Sequence, residues 1–277
     1  GYLVIDENDF NAGGGWGPGD FQLSSFGDDV TLLSSDGSGR PLKFMDRVEF
    51  KATLGGVSLG RVPNGDVNDQ LVPQTRVTLG AVNLGHRPGE IVVSEVHFNP
   101  PDADDTGREF VELFNTTAAP IDLGGWRLDR AVDYEFSSPA LVAAGETVVV
   151  VDFDPVVDTA ADALFRSIYG IDASVQLVGP WGAGKTLDNG GEAVRLERDA
   201  DRLQAGQTQF DHILIDQVSY EDDPPWPASA DGGGDALALA TGGGVRTPFG
   251  ARLLGDGVGG VVVWDGDGGS VRRRSAP

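Results

Sequence analysis

An all-β fold, two sheets of short strands packed as a sandwich, is what this sequence predicts, and three observations predict it. Forty-one glycines and sixteen prolines in 277 residues place turns too close together for long helices. Apolar residues recur at alternate positions in short runs such as "REFVELFN" (Arg108–Asn115) and "WRLDR" (Trp126–Arg130), the spacing of a strand with one buried face. The one interruption with helical spacing is "DTAADALFRSIYG", a single short element against seven to nine strand-like ones.

Taken in order, "EIVVSEVHFNP" (Glu90–Pro100) reads as a strand that stops at Asn-Pro, and "REFVELFN" as a second that ends in the turn "TTAAPIDLGG". "WRLDR" and "VDYEF" (Val132–Phe136) are two further alternating segments, and "ETVVVVDFD" (Glu146–Asp154) is a nearly continuous apolar run, as expected of a central strand buried on both faces. The stretch Asp158–Gly170 has Ala, Leu, Phe and Ile one helical turn apart, Asp158 as N-cap and Gly170 as terminator. It is expected as a short helix carried in a loop.

The chain also repeats itself. "GYLVIDENDF" at the start parallels "GETVVVVDFD" at an offset of 144, "FQLSSFGDDVTLL" parallels "KTLDNGGEAVRLE" at 164, "DRVEF" parallels "DQVSY" at 170, and "GGVSLGR" parallels "GGDALAL" at 178. Order is kept while the offset grows, so two copies of one domain are expected, the first without its front half. The expected division is residues 1–83 for the rear part of the first copy, 84–89 for a linker, 90–240 for the second copy and 241–277 for a Gly- and Arg-rich tail onto which no structure is forced. A frame shift in a GC-rich gene is the expected origin of that tail.

Composition narrows the function classes. A formal charge of −23 repels nucleic-acid phosphate and anionic lipid. Without a single Cys, disulfides, Cys-ligated zinc and thiol chemistry are excluded. No apolar stretch approaches the ~18 residues a membrane span requires. The chain opens "GYLVID", without a basic segment or signal-type apolar run, and is expected to be part of a longer exported protein whose signal lies upstream.

"GPWGAGKT" (Gly179–Thr186) matches the phosphate-cradling loop of nucleotide hydrolases letter for letter. Such a loop must open a helix, with Lys185 reaching the phosphates and Thr186 holding magnesium. Here "LDNGGEAVRLE" follows, and each Gly costs about 1 kcal/mol relative to Ala in a helix interior. Asn189 and Gly190 favour a tight turn with positive φ, and "EAVRLE" reads as a strand. The expectation is a loop between strands and no nucleotide site.

At "EFVELFN", then "IDLGGWRL", "LDNGGEAVRLE", "DQVSY" and "PWPASADGGGDALAL", the chain resembles the bacterial lamin tail domain family. The positions that carry the resemblance are Glu109, Phe110, Glu112 and Asn115; Asp122, Leu123, Gly125 and Trp126; Leu187, Asn189 and Gly190; and Trp226 with Pro227. It implies an immunoglobulin-like β-sandwich over residues 90–240, no active site and no cofactor. The role it implies is a structural, adhesive or interaction module of a larger exported or cell-surface bacterial protein. Implied partners are neighbouring domains of the polypeptide, a surface protein or a polysaccharide. No sustained heptads are present, so a nuclear-filament role is not carried over.

The competing reading is a calcium- or carbohydrate-binding sandwich. Asp102, Asp104 and Thr106 alternate before Gly107 as in the first half of a calcium loop, but the closing Glu is replaced by Leu113. "DFDPVVD" (Asp152–Asp158) is explained by turn formation and the helix cap. Trp126 is expected in the core, whereas Trp181, in its Gly-rich loop, is the candidate for an exposed sugar-stacking ring. Glu109 and Glu112, three apart in a strand, are expected on opposite faces and therefore not as a catalytic pair. Three scattered histidines offer no triad.

Overall fold

A computed structural model describes residues 1–11, 21–62, 70–84, 87, 89–101, 106–200, 211–222, 228, 230–234, 236–239, 262–264 and 272–273. Its first part holds α1 (Glu7–Phe10), β1 (Gly27–Ser35), β2 (Pro41–Lys51), β3 (Leu59–Val62) and β4 (Gln70–Pro73). Next come β5 (Ile91–His97), β6 (Phe110–Asn115), β7 (Ile121–Asp122), β8 (Trp126–Arg130), β9 (Tyr134–Glu135), β10 (Leu141–Val142) and β11 (Thr147–Val151). The chain continues through α2 (Thr159–Tyr169), β12 (Gln176–Val178), β13 (Gly191–Asp199), β14 (His212–Glu221), β15 (Leu237–Leu239), β16 (Val262–Trp264) and β17 (Arg272–Arg273).

Two sheets make the sandwich. One runs β12-β11-β6-β5-β15-β16-β17, the other β14-β13-β8-β9. Their inner faces share one core, with Ile91, Val93, Val111, Leu113, Val148 and Val150 from the first sheet against Trp126, Leu128, Val194, Leu196, Val218 and Tyr220 from the second. A side chain also ties the sheets together, since Asp216 Oδ2 of β14 accepts a hydrogen bond from Val93 N of β5 at 2.7 Å.

The nearly continuous apolar run of β11 has its explanation here. Val148 and Val150 face the sandwich core, while Val149 and Val151 face outward into a second cluster with Phe110, Phe165, Ile171 and Leu177. That cluster lies beneath α2, which crosses over between the parallel strands β11 and β12. The sequence expectation for this helix holds: Asp158 caps it by accepting from Ala161 N at 3.0 Å, and Gly170 ends it at φ +64°. Phe165 is its one buried residue, and such burial stabilises by about 1.5–3 kcal/mol.

Other expectations need correction. The parallel with β11 predicts a strand at "GYLVIDENDF", yet Glu7–Phe10 is a one-turn helix, closed by Asp6 and Asp9 in a reciprocal capping box. The turn before β13 does not place positive φ on Asn189 or Gly190; Gly191 takes it, at +106°. Asp188 directs this, because its carboxylate accepts from Gly190 N at 2.8 Å and its carbonyl from Gly191 N at 3.2 Å. In the tail, the described residues Val262–Trp264 and Arg272–Arg273 are strands, β16 parallel to β15 and β17 antiparallel to β16. A β-branched valine run suffices to extend a sheet edge there. The rest of 241–277 lies outside the described residues.

Asn115 at the end of β6 closes the turn that follows. Its amide donates to Ala119 O at 2.8 Å, Val142 O at 3.0 Å and Ala143 O at 3.1 Å, and its oxygen accepts from Thr117 N at 2.9 Å. Since Asn115 is fully buried, Asn115→Ala strands these groups away from water. Urea melts are expected to register a loss of about 2–4 kcal/mol.

Candidate functional site

The loop from Gly179 to Glu192 is the place where a nucleotide reading would have to be realised. A phosphate cradle needs backbone amides that converge on an open cavity. Here four of them, at Trp181, Gly182, Lys185 and Leu187, are engaged within the protein. Trp181 N donates to Val151 O at 3.1 Å, Gly182 N to Asp133 O at 2.7 Å, and Lys185 N to Gly182 O at 3.1 Å. Leu187 N donates to the buried carboxylate of Glu109 at 3.1 Å. The Lys185 ammonium lies on the surface 3.5 Å from Asp133, and β13, not a helix, follows the turn.

Trp181 corrects the sequence reading. Its Gly-rich loop predicts an exposed sugar platform, but only 2 % of it is accessible, and its indole Nε1 donates to Lys185 O at 2.9 Å. With Leu187 it folds the glycine-rich loop down onto the sandwich core. Glycines hid this, because they report backbone freedom and not the direction of the ring. Trp126 lies in the core as expected.

Of the calcium candidates, Thr106 is an exposed turn residue, while Asp102 and Asp104 lie outside the described residues. Among the described residues no group of three or more His, Asp or Glu side chains is arranged to hold a metal. The acidic run Asp152–Asp158 performs the turn and cap duties expected of it: Asp152 accepts from Gly107 N at 2.9 Å, and Asp154 from Val156 N at 2.9 Å and Val157 N at 3.0 Å.

Glu109 and Glu112 are both buried and serve different neighbours. Glu109 holds Leu187, whereas Glu112 Oε1 accepts from Ser94 Oγ at 2.6 Å. Glu112 also lies across the strand pair from Glu95, on the sheet face that carries His97 and Tyr169. The Nδ1 of His97 lies 2.9 Å from the Tyr169 hydroxyl, which donates to Arg108 O at 2.7 Å. Nδ1 is therefore the protonated nitrogen, and Nε2 is left buried without a partner.

Burial sets the proton affinities of this cluster. It pushes Glu95 up to about 7, and it holds Glu112 well above the carboxylate range, with the Glu95 charge adding and the Ser94 hydroxyl opposing. His97 is driven down to about 4. Glu95, raised on folding, contributes stability that is complete below about pH 4.5 and is lost as pH rises through about 7, and Glu112 acts with the same sign. For His97 the sign reverses: its contribution is complete above pH 6.5 and is lost as pH falls through about 4. Glu112→Gln is therefore expected to flatten the decline that sets in above pH 4.5 while leaving the acid-side decline, as urea melts from pH 4 to 8 would record.

An ion-pair joint went unnoticed in the sequence. Glu197 of β13 is fully buried, and Arg127 of β8 grips its Oε2 through Nε at 3.0 Å and Nη2 at 2.6 Å. Lys51, at the end of β2, reaches its Oε1 at 3.2 Å. The joint borders a cleft of about 250 Å³ lined by Phe50, Leu54, Leu71, Arg195 and Leu214 among others. Alternation gave no signal, because a bulge between Leu196 and Glu197 breaks the register with β14 at this point.

Glu109, Arg127, Lys51 and Glu197 each fasten a loop or strand to the sandwich. Residues 85–222, which contain most of them, match the family model described as Lamin Tail Domain. Through these residues the chain belongs to the lamin tail domain family. No curated protein matches the chain. Family and coordinates agree on an immunoglobulin-like β-sandwich with one short helix in a loop, and a lamin tail domain is consistent with a noncatalytic interaction module. Asp122, a position that carried the resemblance, has a clamping duty as well: it accepts from Gly124 N at 2.9 Å, Ala140 N at 2.8 Å and Ser138 Oγ at 3.1 Å. Hydrogen bonds from Ala140 and Gly124 hold its carboxyl below the usual range.

Proposed function

We propose that this lamin-tail chain works as a noncatalytic structural and adhesive module of a larger exported bacterial protein, engaging a surface protein or polysaccharide at the cell surface. The observation that supports it most is the use made of the polar side chains. Glu109, Asn115, Asp122 and Glu197 each hold framework, and in the loop that mimics a phosphate cradle the amides of Trp181, Gly182, Lys185 and Leu187 turn to protein carbonyls and to Glu109. A charge of −23 favours solubility and disfavours nucleic-acid and anionic-lipid partners. Nothing described favours a sugar subsite at Trp181, whose ring is enclosed.

Labelled protein added to isolated bacterial cell envelopes tests this reading. Saturable retention, with no phosphate released from ATP or GTP, is the expected result. Lys185→Ala should alter neither retention nor stability by more than about 0.5 kcal/mol, since its surface ion pair contributes little. Phosphate release that disappears in Lys185→Ala would overturn the noncatalytic reading.

A further inference from the structure

The hairpin β1–β2 and the hairpin β13–β14 are the same object in two settings. Gly27 pairs with Lys51, Val30 with Val48 and Leu32 with Asp46; Gly191 pairs with Glu221, Val194 with Val218 and Leu196 with Asp216. Each first strand opens on a glycine at positive φ, +115° for Gly27 and +106° for Gly191. Each has a bulge directly after its leucine, Leu32 or Leu196. The preceding turns also agree bond for bond. Gly27 N donates to Ser24 O as Gly191 N does to Asp188 O, each at 3.2 Å. Phe26 N donates to Ser24 Oγ as Gly190 N does to Asp188 Oδ1, and Ser24 N to Asp28 as Asp188 N to Glu192. Asp46 accepts from Arg47 N as Asp216 does from Gln217 N.

What differs is the cover. Val194 and Leu196 are 0 % exposed beneath β5, β6 and β11, while their counterparts Val30 and Leu32 are 45 % and 57 % exposed. Leu187 is buried, and its counterpart Leu23 is exposed. Tyr2, Leu3, Val4 and Ile5, which parallel the central strand β11 in sequence, are all exposed as well. Isolated two-stranded hairpins are marginal in water, and exposed apolar side chains on one strand face, as at Val30 and Leu32, mark an interaction surface.

We propose that the hairpin face carrying Leu23, Val30 and Leu32 is a docking surface for an antiparallel strand pair of lamin-tail front-sheet chemistry, of the kind Ile91–Asn115 supplies to the second hairpin, with Tyr2–Ile5 joining the sheet that the pair completes. The internal comparison specifies that occupant. It presents alternating β-branched and leucine side chains toward Val30 and Leu32. One of its backbone amides meets the second oxygen of Asp46, as Val93 N meets Asp216. A carboxylate at the start of its second strand receives Leu23 N, as Glu109 receives Leu187 N. Its second strand lies beside Tyr2–Ile5, as β6 lies beside β11, and its first lies one strand further out, as β5 does.

The test places residues 86–144 ahead of Gly1 of the full chain, the junction that the offset between Gly145 and Gly1 dictates. Hydrogen exchange at the amides of Val4, Val30 and Leu32 is expected to slow by at least about 100-fold as they pass from an open face into a core, and Asp46→Ala should reverse much of that protection. A second arm adds the peptide of residues 90–115 to the unaltered chain and follows the same amides by NMR, where saturable shifts are expected. If neither arm moves them while residues 91–199 remain protected, the proposal is wrong. It is equally wrong if the unaltered chain sediments as a dimer with Val30 and Leu32 already protected, because a second copy is then the occupant.

Discussion

Arg127→Ala is expected to lower the unfolding free energy by about 3 kcal/mol, because it leaves the fully buried carboxylate of Glu197 with Lys51 alone. Lys would not restore it, since the two guanidinium contacts to Glu197 Oε2 require a planar fork. Paired replacement by groups of similar size, Arg127→Met with Glu197→Leu, should recover most of the loss, as no buried charge then remains. Lys51→Ala should cost less in the native background than in Arg127→Ala, since half-exposed Lys51 shares the carboxylate with Arg127. Urea melts of the four proteins and a double-mutant cycle measure this coupling.

Gly179→Ala should be about as damaging, and it separates two explanations of one glycine. A phosphate loop uses that glycine so that an anion can approach. In this protein a Cβ at Gly179 would lie 2.6 Å from Val151 O and closer still to Phe153 O, so the residue is there because the backbone leaving β11 passes against it. Backbone must move to admit the methyl, at a cost on the order of 2–4 kcal/mol. At Gly184, in the same motif, a Cβ would meet nothing within 4 Å, though its φ of +75° still favours glycine. Gly184→Ala should therefore cost about 1 kcal/mol, the strain of a positive φ alone. Thermal melts that ranked the two substitutions the other way would contradict the packing account.

Much of the fold was legible because its signals were local. Asp158 and Gly170 bracket α2 with chemistry that acts within one helical turn, and the run Val148–Val151 has no polar residue because both of its faces are covered. The functional reading of Gly179–Thr186 was legible for the same reason, since Asn189, Gly190 and Gly191 forbid a helix there. What escaped depends on partners far along the chain. Trp181 is buried by Leu187 and the sheet core, a contact no glycine count reveals. Glu197 is buried because a bulge resets the strand and two cations arrive from β8 and β2. Asp188 moved the positive φ from Asn189 to Gly191 by bonding its own turn. The two hairpins run parallel in their letters, while the exposure of Val30 and Leu32 depends on what packs over them and leaves no mark in the sequence.

The account turns on Leu187: its amide is held by the buried carboxylate of Glu109 and not offered to an anion. Amide hydrogen exchange at Lys185 and Leu187, with and without magnesium-ATP, tests that directly. Leu187 should exchange slowly in the free protein, should be unaffected by nucleotide and should become fast in Glu109→Ala. Rapid exchange at both amides that slows on adding nucleotide would contradict it.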